Sequence, residues 1–248
     1  MMNKELTVIL PTLNSEKYLV TFFKELSNQT FKSFCIYICD GGSKDKTIEI
    51  INKNKFDLKI ISRKDKSFED GVNKCLKKVK TEYFCILGSD DKLGNKHYLN
   101  NLIQILKKKN YDIVFPNFGI IKNNQKKILT QKKSFDQILY KTVLPGIGWI
   151  AKKKVIKKNK FNLKYKVASD YDLLLKFYKN NFHFYRIYNS IYYFRLGVGT
   201  SFKLAKLSFK EQKDIALINN GPKLKIFYIY ILYNIKYFLK YKLLKYFI

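Results

Sequence analysis

A pair of adjacent carboxylates, Asp90 and Asp91, lies in the stretch FCILGSDDKLG, directly after a short apolar run. Two like charges about 4 Å apart repel by roughly 4 kcal/mol at an effective dielectric constant near 20. A divalent cation such as Mg²⁺ or Mn²⁺ converts that repulsion into attraction, and it completes its coordination shell with substrate phosphates. Gly, Ser and Asp are also common turn residues, so a plain turn is the alternative interpretation.

A second group of acidic residues lies in KVASDYDLLLKFYK, residues 166–179. Ser169 and Asp172 have the spacing of a capping box at the start of a helix, which gives Asp172 a structural role. Asp170 is not needed for that box. In the first helical turn it would meet the positive end of the helix dipole, which favours the ionised form that a general base requires.

Alternating apolar runs and amphipathic segments in the first half predict the elements that position these acids. We predict strands at 6–10, 34–39, 58–62, 83–87 and 111–115, and helices at 15–28, 45–54, 69–80 and 96–109. Strands that are apolar throughout and alternate with helices are typical of a parallel sheet covered on both faces. Right-handed crossovers then bring the carboxyl ends of the strands to one edge, where open α/β sheets bind ligands.

The second half of the chain has weaker patterns. They predict a polar hairpin at 117–133, a strand at 144–156, a helix at 169–180 and short strands at 182–195. Trp149 could stack on a sugar, but burial in the core is the favoured interpretation. We expect one domain over residues 1–205 and a helical tail over 206–248.

The composition limits the possible functions. The chain has 248 residues, of which 46% are hydrophobic, and a net charge of +30. Nearly all the cations are lysines, whereas base recognition favours arginine, so nucleic acid is not the favoured partner. A basic nucleic-acid-binding protein stays an alternative: it predicts cations and aromatics on one exposed face, while an enzyme predicts acidic loops in one cleft.

The cysteines and the N-terminal sequence favour a cytoplasmic protein. Cys35, Cys39, Cys75 and Cys85 form no CxxC pair, and with two scattered histidines they predict no metal site. The first apolar run is too short for a signal peptide or a spanning helix. The first loop, PTLNSEK, contains no glycine, which excludes the usual phosphate-binding loops and disfavours a nucleotidyltransferase.

Four motifs together resemble the family 2 glycosyltransferases of the GT-A fold: VILPTLN, CDGGSKDKT, the segment from Asp65 to Lys74, and LGSDD. The resemblance covers about residues 5–200. It implies a Rossmann-like, mainly parallel α/β sheet flanked by helices. It also implies metal-dependent transfer, with inversion, of a hexosyl or N-acetylhexosaminyl group from a nucleotide sugar to a glycan or lipid-linked acceptor. Surface polysaccharides such as lipopolysaccharide or capsule are the expected products.

The resemblance also assigns roles to individual residues. Asp91 would hold Mn²⁺ or Mg²⁺ at the donor diphosphate, and Asp170 would be the general base. The implied donor-binding residues, with Asp90 at the ribose and Asp40 at the nucleotide base, are Pro11, Thr12, Asn14, Asp40, Arg63, Asp70 and Asp90. A helix cap is the alternative role for Asp70.

Some positions depart from the family pattern or stay open. Lys64, Ser67 and Cys75 stand where the family usually has Glu, Gly and Gly, which puts the donor contacts of residues 63–75 in doubt. FRLGVGTS, residues 194–201, resembles a closing loop of the family. The tail at 226–248 is apolar and aromatic with interspersed lysines. Either it lies on an anionic membrane surface, or it packs on the domain or on a second subunit.

Overall fold

A computed structural model of the chain describes residues 4–122, 125–129, 134–195 and 204–245, with side chains up to residue 235 in the last range. Within these ranges one mixed sheet forms the centre of the molecule. Its strands are β1 (Leu6–Thr12), β2 (Phe34–Asp40), β3 (Leu58–Arg63), β4 (Tyr83–Ile86), β5 (Lys92–Leu93), β6 (Ile113–Lys122), β7 (Gln125–Leu129), β8 (Ile150–Lys152) and β9 (Phe184–Arg195).

The sheet has the order β3-β2-β1-β4-β8-β6-β9-β5, and β7 pairs with the outer part of β6. Strands β3, β2, β1 and β4 are parallel, as the sequence predicts. Strand β8 is antiparallel to both of its neighbours, β4 and β6, so β6 has the same direction as β4. Strand β9 then pairs with β6 in parallel. The predicted α/β architecture is therefore confirmed, and every antiparallel pairing among the described strands involves β7, β8 or β9.

Helices cover both faces of the sheet. They are α1 (Glu16–Ser27), α2 (Thr47–Asn52), α3 (Phe68–Lys78), α4 (Tyr98–Lys108), α5 (Ser169–Lys179), α6 (Ala205–Ile218) and α7 (Lys223–Lys245). The first five agree with the predicted helices to within a few residues at each end. Their apolar stripes lie on the sheet: in α4, for example, Leu99, Leu102, Ile103 and Leu106 are buried.

The region between β6 and α5 differs in detail from the prediction. The predicted hairpin forms, but its first strand is continuous with the predicted strand at 111–115, so β6 has ten residues. Only Ile150–Lys152 of the predicted 144–156 segment is a strand. Trp149 is completely buried among Phe84, Phe115 and Phe177, which confirms the core interpretation.

The C-terminal segment is helical, as predicted. Helix α6 buries Ile215 and Ala216 completely in the main hydrophobic core. Helix α7 lies on α6, with the rings of Phe209 and Tyr233 stacked at 4.2 Å. No helix in the described part of the chain combines the length and the apolar character needed to cross a membrane.

Candidate active site

A cavity of about 620 Å³, here called the main cavity, lies at the carboxyl ends of β1 and β4. Loops that are distant in sequence meet there: the loop after β1, the loop after β4, the segment before α5 and the end of β9. The acidic groups on its walls are Glu69, Asp90, Asp91 and Asp170. Both acidic motifs of the sequence therefore face one cavity, which a set of independent turns would not require.

Asp91 is buried, with 8% of its surface exposed, and the end of β9 holds its carboxylate. The Tyr192 hydroxyl donates to Oδ2 at 3.0 Å, and the backbone N–H of Arg195 donates to Oδ1 at 3.2 Å. Burial and the charge of Asp90 raise the pKa of Asp91 to about 7, although both hydrogen bonds lower it. The carboxylate is thus fixed in place while its negative charge is poorly compensated.

Asp90 lies beside Asp91 on the cavity wall, and burial raises its pKa above the ordinary value. The positive charge of Arg195 acts on both acids, and its Nε donates to the carbonyl oxygen of Asp90 at 3.3 Å. Its guanidinium carbon also lies 4.9 Å from the ring centre of Tyr18. Arg195 therefore offsets part of the negative charge and has a fixed orientation at the cavity.

Gly88 is required where the backbone passes this carboxylate. A Cβ at position 88 would lie 2.4 Å from Oδ2 of Asp91, closer than any normal contact. The N–H of Gly88 donates to the Tyr192 hydroxyl at 2.9 Å, so one hydroxyl connects the β4 loop to Asp91.

The pair Asp90–Asp91 suits a divalent cation that takes only some of its ligands from the protein. Among the described residues no cluster of three or more His, Cys, Asp or Glu side chains could hold a metal. One or two carboxylates beside an open cavity are what Mg²⁺ or Mn²⁺ uses when substrate phosphates supply the other ligands. The raised pKa of both acids indicates that a cation would be favourable there.

Asp170 lies in the first turn of α5 and lines the main cavity. Burial raises its pKa to about 6, and the charge of Glu69 adds to the effect, while the Tyr171 N–H bond lowers it. The helix dipole predicted from the sequence is therefore outweighed by burial. The carboxyl group is still mostly ionised at neutral pH.

The predicted capping box at the start of α5 is wrong. The Ser169 hydroxyl donates to Oε1 of Glu69 at 2.8 Å, and Asp172 pairs with Lys176 at 2.6 Å. Ala168 occupies the N-cap position, where no side chain caps the helix. Ser169 instead joins α5 to α3, because Glu69 belongs to the first turn of α3.

A glycine and a tryptophan support Asp170 from the loop before β8. A Cβ at Gly146 would lie 2.3 Å from Cβ of Asp170 and 2.5 Å from its Oδ2. The Gly146 carbonyl accepts a hydrogen bond from Nε1 of the buried Trp149 at 2.9 Å. The loop is thus anchored on the core and lies directly against the carboxylate.

The predicted donor-binding residues separate into two groups. Pro11, Asn14 and Asp90 line the main cavity. Thr12 lines a smaller side cavity of about 250 Å³, which shares Pro11, Leu13 and Phe68 with the main one. The two cavities together form an elongated site along the end of β1.

Asp40 is buried at the end of β2, and protein groups occupy its carboxylate. Oδ1 accepts from the hydroxyls of Thr12 and Ser43, and Oδ2 accepts from the N–H groups of Gly42 and Ser43. Burial alone would raise its pKa, but these bonds hold the pKa below the ordinary value. Asp40 thus shapes the β2 loop, and it lies outside the linings of both cavities.

Arg63 and Asp70 also lie outside both cavity linings. Arg63 is exposed at the end of β3, in register with Asp40. The Asp70 N–H donates to the N-cap Ser67 at 3.2 Å, while its Oδ2 accepts from Lys66 N–H at 3.1 Å. Ser67 is therefore the N-cap of α3, the role expected as the alternative for Asp70, whereas Asp70 lies in the first turn and also pairs with Lys74 at 2.8 Å.

Sequence reasoning missed several residues of the site. Arg195 lies inside the motif FRLGVGTS, and its place in that motif is the signal that could identify it. Tyr192 carries no signal, because it is one of several aromatic residues in β9. Glu69 precedes Asp70 in a helix start and was not considered. Residues 196–201 of the predicted closing loop lie outside the described residues.

Comparisons with known proteins agree with this arrangement. The profile described as glycosyl transferase family 2 matches residues 7–189. The poly(ribitol-phosphate) beta-N-acetylglucosaminyltransferase TarS of Staphylococcus aureus is 32% identical over 114 residues, which are 44% of this chain and 20% of TarS. The UDP-Glc:alpha-D-GlcNAc-diphosphoundecaprenol beta-1,3-glucosyltransferase WfgD of Escherichia coli is 24% identical over 181 residues, 71% of this chain and 70% of WfgD.

Solved structures show the same fold. The crystal structure of S. aureus TarS 1–349 with UDP-GlcNAc has a TM-score of 0.72 at 22% identity, covering 87% of this chain and 66% of that one. The mannosyltransferase PcManGT of Pyrobaculum calidifontis, in complex with GDP-Man and Mn²⁺, has a TM-score of 0.68 at 13% identity, covering 91% and 69%. The chain therefore has the GT-A fold and, since the family profile matches most of its length, it belongs to glycosyl transferase family 2.

Proposed function

We propose that this protein transfers a sugar, with inversion, from a nucleotide-sugar donor to a hydroxyl group of a glycan or lipid-linked acceptor. The observation that carries the proposal is the meeting of Asp90–Asp91 and Asp170 on the walls of one cavity. The family membership supports the reaction type. The donor and acceptor named for TarS and WfgD support a role in a surface polysaccharide, such as lipopolysaccharide or capsule.

In this proposal the donor lies along the two cavities. The nucleoside occupies the side cavity and its junction with the main cavity, where Pro11, Thr12 and Asn14 contribute. The ribose reaches Asp90, and the diphosphate lies near Asp91 and Arg195. Asp40 contributes through the β2 loop that it orders. Arg63 and Asp70 remain proposed donor residues that would need to approach the donor from outside the present cavity linings.

The chemistry requires a base on the acceptor side. Asp170 accepts the proton of the acceptor hydroxyl, whose oxygen then attacks the anomeric carbon while the bond to the donor phosphate breaks. Asp170 is suited to this because its pKa of about 6 leaves it ionised, yet more basic than a solvated carboxylate, at neutral pH. Gly146 and the Trp149 hydrogen bond hold it against the cavity wall.

Mn²⁺ or Mg²⁺ is the cofactor in this proposal, with Asp91 as its ligand from the protein. When bound, the cation supplies Lewis-acid stabilisation of the departing diphosphate. Tyr192 and the N–H of Arg195 fix the Asp91 carboxylate, and the Arg195 guanidinium adds positive charge near the same phosphates. PcManGT, which has the same fold, is in complex with GDP-Man and Mn²⁺, and this supports a divalent cation as cofactor.

A panel of nucleotide sugars with and without Mn²⁺, scored by donor hydrolysis and thermal shift, tests the proposal. We expect Asp170→Asn to bind nucleotide normally while turnover falls by about 10²–10⁴-fold, the usual contribution of a general base. Asp91→Asn loses the Mn²⁺-dependent part of donor binding. Asp172→Asn is the matched control, because it removes one carboxylate from the same helix outside the cavity lining. Full turnover of Asp170→Asn would refute the assignment.

We further propose that α7 binds an anionic membrane surface and keeps the enzyme at the inner face of the cytoplasmic membrane. Exposed apolar side chains recur every three or four residues on its outer face: Leu224, Phe227, Tyr228, Ile231, Leu232 and Ile235. The inner face is already packed on α6. A chain of net charge +30 repels a second copy of itself but is attracted to anionic lipid.

Flotation with phosphatidylglycerol-containing vesicles tests the membrane proposal, with pure phosphatidylcholine vesicles as the lipid control. A triple variant, Leu224→Ser, Tyr228→Ser and Ile231→Ser, changes only exposed positions and leaves the buried Ile226 intact. We expect the wild-type protein to float with the anionic vesicles and the variant to stay in the dense fraction. Equal flotation of both proteins would contradict a role of this face.

A further inference from the structure

No side chain at the start of helix α5 caps the helix, and Glu211 from the C-terminal segment binds the backbone there instead. Three consecutive backbone N–H groups before the helix, those of Lys166, Val167 and Ala168, donate to the carboxylate of Glu211 at 2.9, 2.9 and 3.0 Å. Glu211 lies in α6 and is only 9% exposed. N–H bonds to a carboxylate are about twice as strong as bonds between neutral groups.

The segment held in this way is part of the candidate active site. Lys166 and Val167 line the main cavity, and Asp170 follows two residues after Ala168. On the other side of the same turn, Ser169 is bonded to Glu69 of α3. The start of α5 is therefore fixed between two acidic residues from different helices, neither of which is close to it in sequence.

Glu211 is itself firmly placed. One turn further along α6, Ile215 and Ala216 are completely buried in the main core. A rotation of α6 that moved Glu211 away would expose both of these side chains. The carboxylate is thus a rigid anchor rather than a mobile surface group.

We propose that Glu211 is a positioning residue for the transfer reaction: it orders the wall at 166–168 and thereby sets the location of Asp170. This inference rests on the proposed function, because it takes Asp170 as the base. It assigns helix α6 a role in the active site, although α6 is distant in sequence from the start of α5. It concerns the acceptor side of the cavity and leaves the Asp91 side unaffected.

Glu211→Gln keeps the size of the side chain but replaces one acceptor oxygen with an amide NH₂. That group faces a backbone N–H it cannot bond to, so the 166–168 segment must shift. Misplacement of a catalytic group by about 1 Å can cost roughly 10²-fold in rate. We expect kcat to fall by about 10–100-fold and the acceptor KM to rise, while the KM for the donor stays within about twofold.

The experiment compares Glu211→Gln, Glu211→Asp and Asp214→Asn in the full chain, with turnover normalised to the concentration of sites that bind the nucleotide sugar identified in the panel. Asp214 is the matched control, because it is an exposed acid on the same helix. Glu211→Asp keeps the charge on a shorter side chain, so an intermediate kcat supports positioning by the carboxylate. If Glu211→Gln does not fold, Glu211→Asp alone decides: an unchanged kcat overturns the inference.

Two further results separate this inference from the proposed function. Normal turnover per donor-binding site in Glu211→Gln, together with an inactive Asp170→Asn, overturns the role of Glu211 alone. Normal turnover in Asp170→Asn overturns the proposed function and this inference with it. A third result also overturns the role of Glu211: an equal rise of the donor KM and the acceptor KM in Glu211→Gln. Such an equal rise indicates a general structural defect, which would affect both substrates alike.

Discussion

Replacing Gly146 with alanine would test whether the position of Asp170 controls the reaction. The new Cβ would lie 2.3 Å from Cβ of Asp170 and 2.5 Å from its Oδ2. Carbon atoms in contact normally lie about 3.5–4.0 Å apart, so one of the two groups must move by more than about 1 Å. The backbone of Gly146 does not have a positive φ, so the clash is the main consequence of the change.

Asp170 is the group that is expected to move. The Gly146 loop is anchored through its carbonyl, which accepts from Nε1 of the completely buried Trp149 at 2.9 Å. A displacement of about 1 Å costs roughly 10²-fold in rate, which corresponds to about 2.7 kcal/mol in the activation barrier. We therefore expect kcat to fall about 100-fold while nucleotide binding is retained.

Gly88→Ala provides the matched comparison, because its Cβ would lie 2.4 Å from Oδ2 of Asp91. We expect that variant to weaken Mn²⁺-dependent donor binding, measured by calorimetry with the nucleotide sugar that the panel identifies, rather than turnover at saturation. Initial rates at saturating donor and acceptor give kcat for both variants, and circular dichroism confirms folding. A Gly146→Ala protein that keeps its kcat within twofold, or that loses donor binding as Gly88→Ala does, would refute the reasoning.

Three more predictions concern the two carboxylates. In the proposed function the ionised form of Asp170 is the active one. Because its pKa in the free protein is raised to about 6, kcat/KM for the acceptor is expected to rise with pH through about 6 and to level off above 7; a profile flat from pH 5 to 8 would contradict this. Tyr192→Phe removes a hydrogen bond that lowers the pKa of Asp91, so protons compete better with the cation for this carboxylate. We expect about tenfold weaker Mn²⁺ activation of the variant at pH 7. The difference from the wild-type protein is expected to shrink as the pH rises. The raised pKa of Asp170 means that the folded state binds its proton more tightly than the unfolded state, so its contribution to stability is lost as pH rises from about 4 to 6. Asp170→Asn is thus expected to gain up to about 3 kcal/mol at pH 7.5, seen as a higher Tm, and a lower Tm would count against burial as the cause.

The sequence predicts the first half of the fold well because the signals there are local. An apolar strand followed by an amphipathic helix is recognisable within about 25 residues, and the hand of the crossover then determines where the strand ends meet. The convergence of Asp90–Asp91 with the loop after β1 follows from this rule alone. The start of α5 is predicted from local pattern, but its place beside the cavity is not, because β8 and β6 run antiparallel to each other and the crossover rule does not apply to them. The role of Asp170 therefore needed the family resemblance.

The contacts that the sequence does not reveal are those between distant segments. The Tyr192 hydroxyl reaches Asp91 across 101 positions, and Ser169 reaches Glu69 across 100. Neither residue differs in type from its neighbours in a way that would predict such a partner. The predicted capping box is wrong for the same reason. Local spacing favours Ser169 with Asp172, but Ser169 binds Glu69 of α3 and the N–H of Ala168 binds Glu211 of α6.

Hydrogen bonding separates the acidic residues of the strand ends into two kinds. Asp40 accepts four hydrogen bonds, three from its own loop and one from Thr12, and its pKa is lowered. Protein groups therefore compensate its negative charge. Asp91 and Asp170 face a cavity with fewer bonds and raised pKa values, so folding leaves part of their charge uncompensated. Such charge destabilises the free protein and is relieved when a cation or a proton arrives. Because Asp90, Asp91 and Asp170 combine that cost with access to a substrate-sized space, they are where the structure favours chemistry, and Asp40 is where it favours a rigid loop.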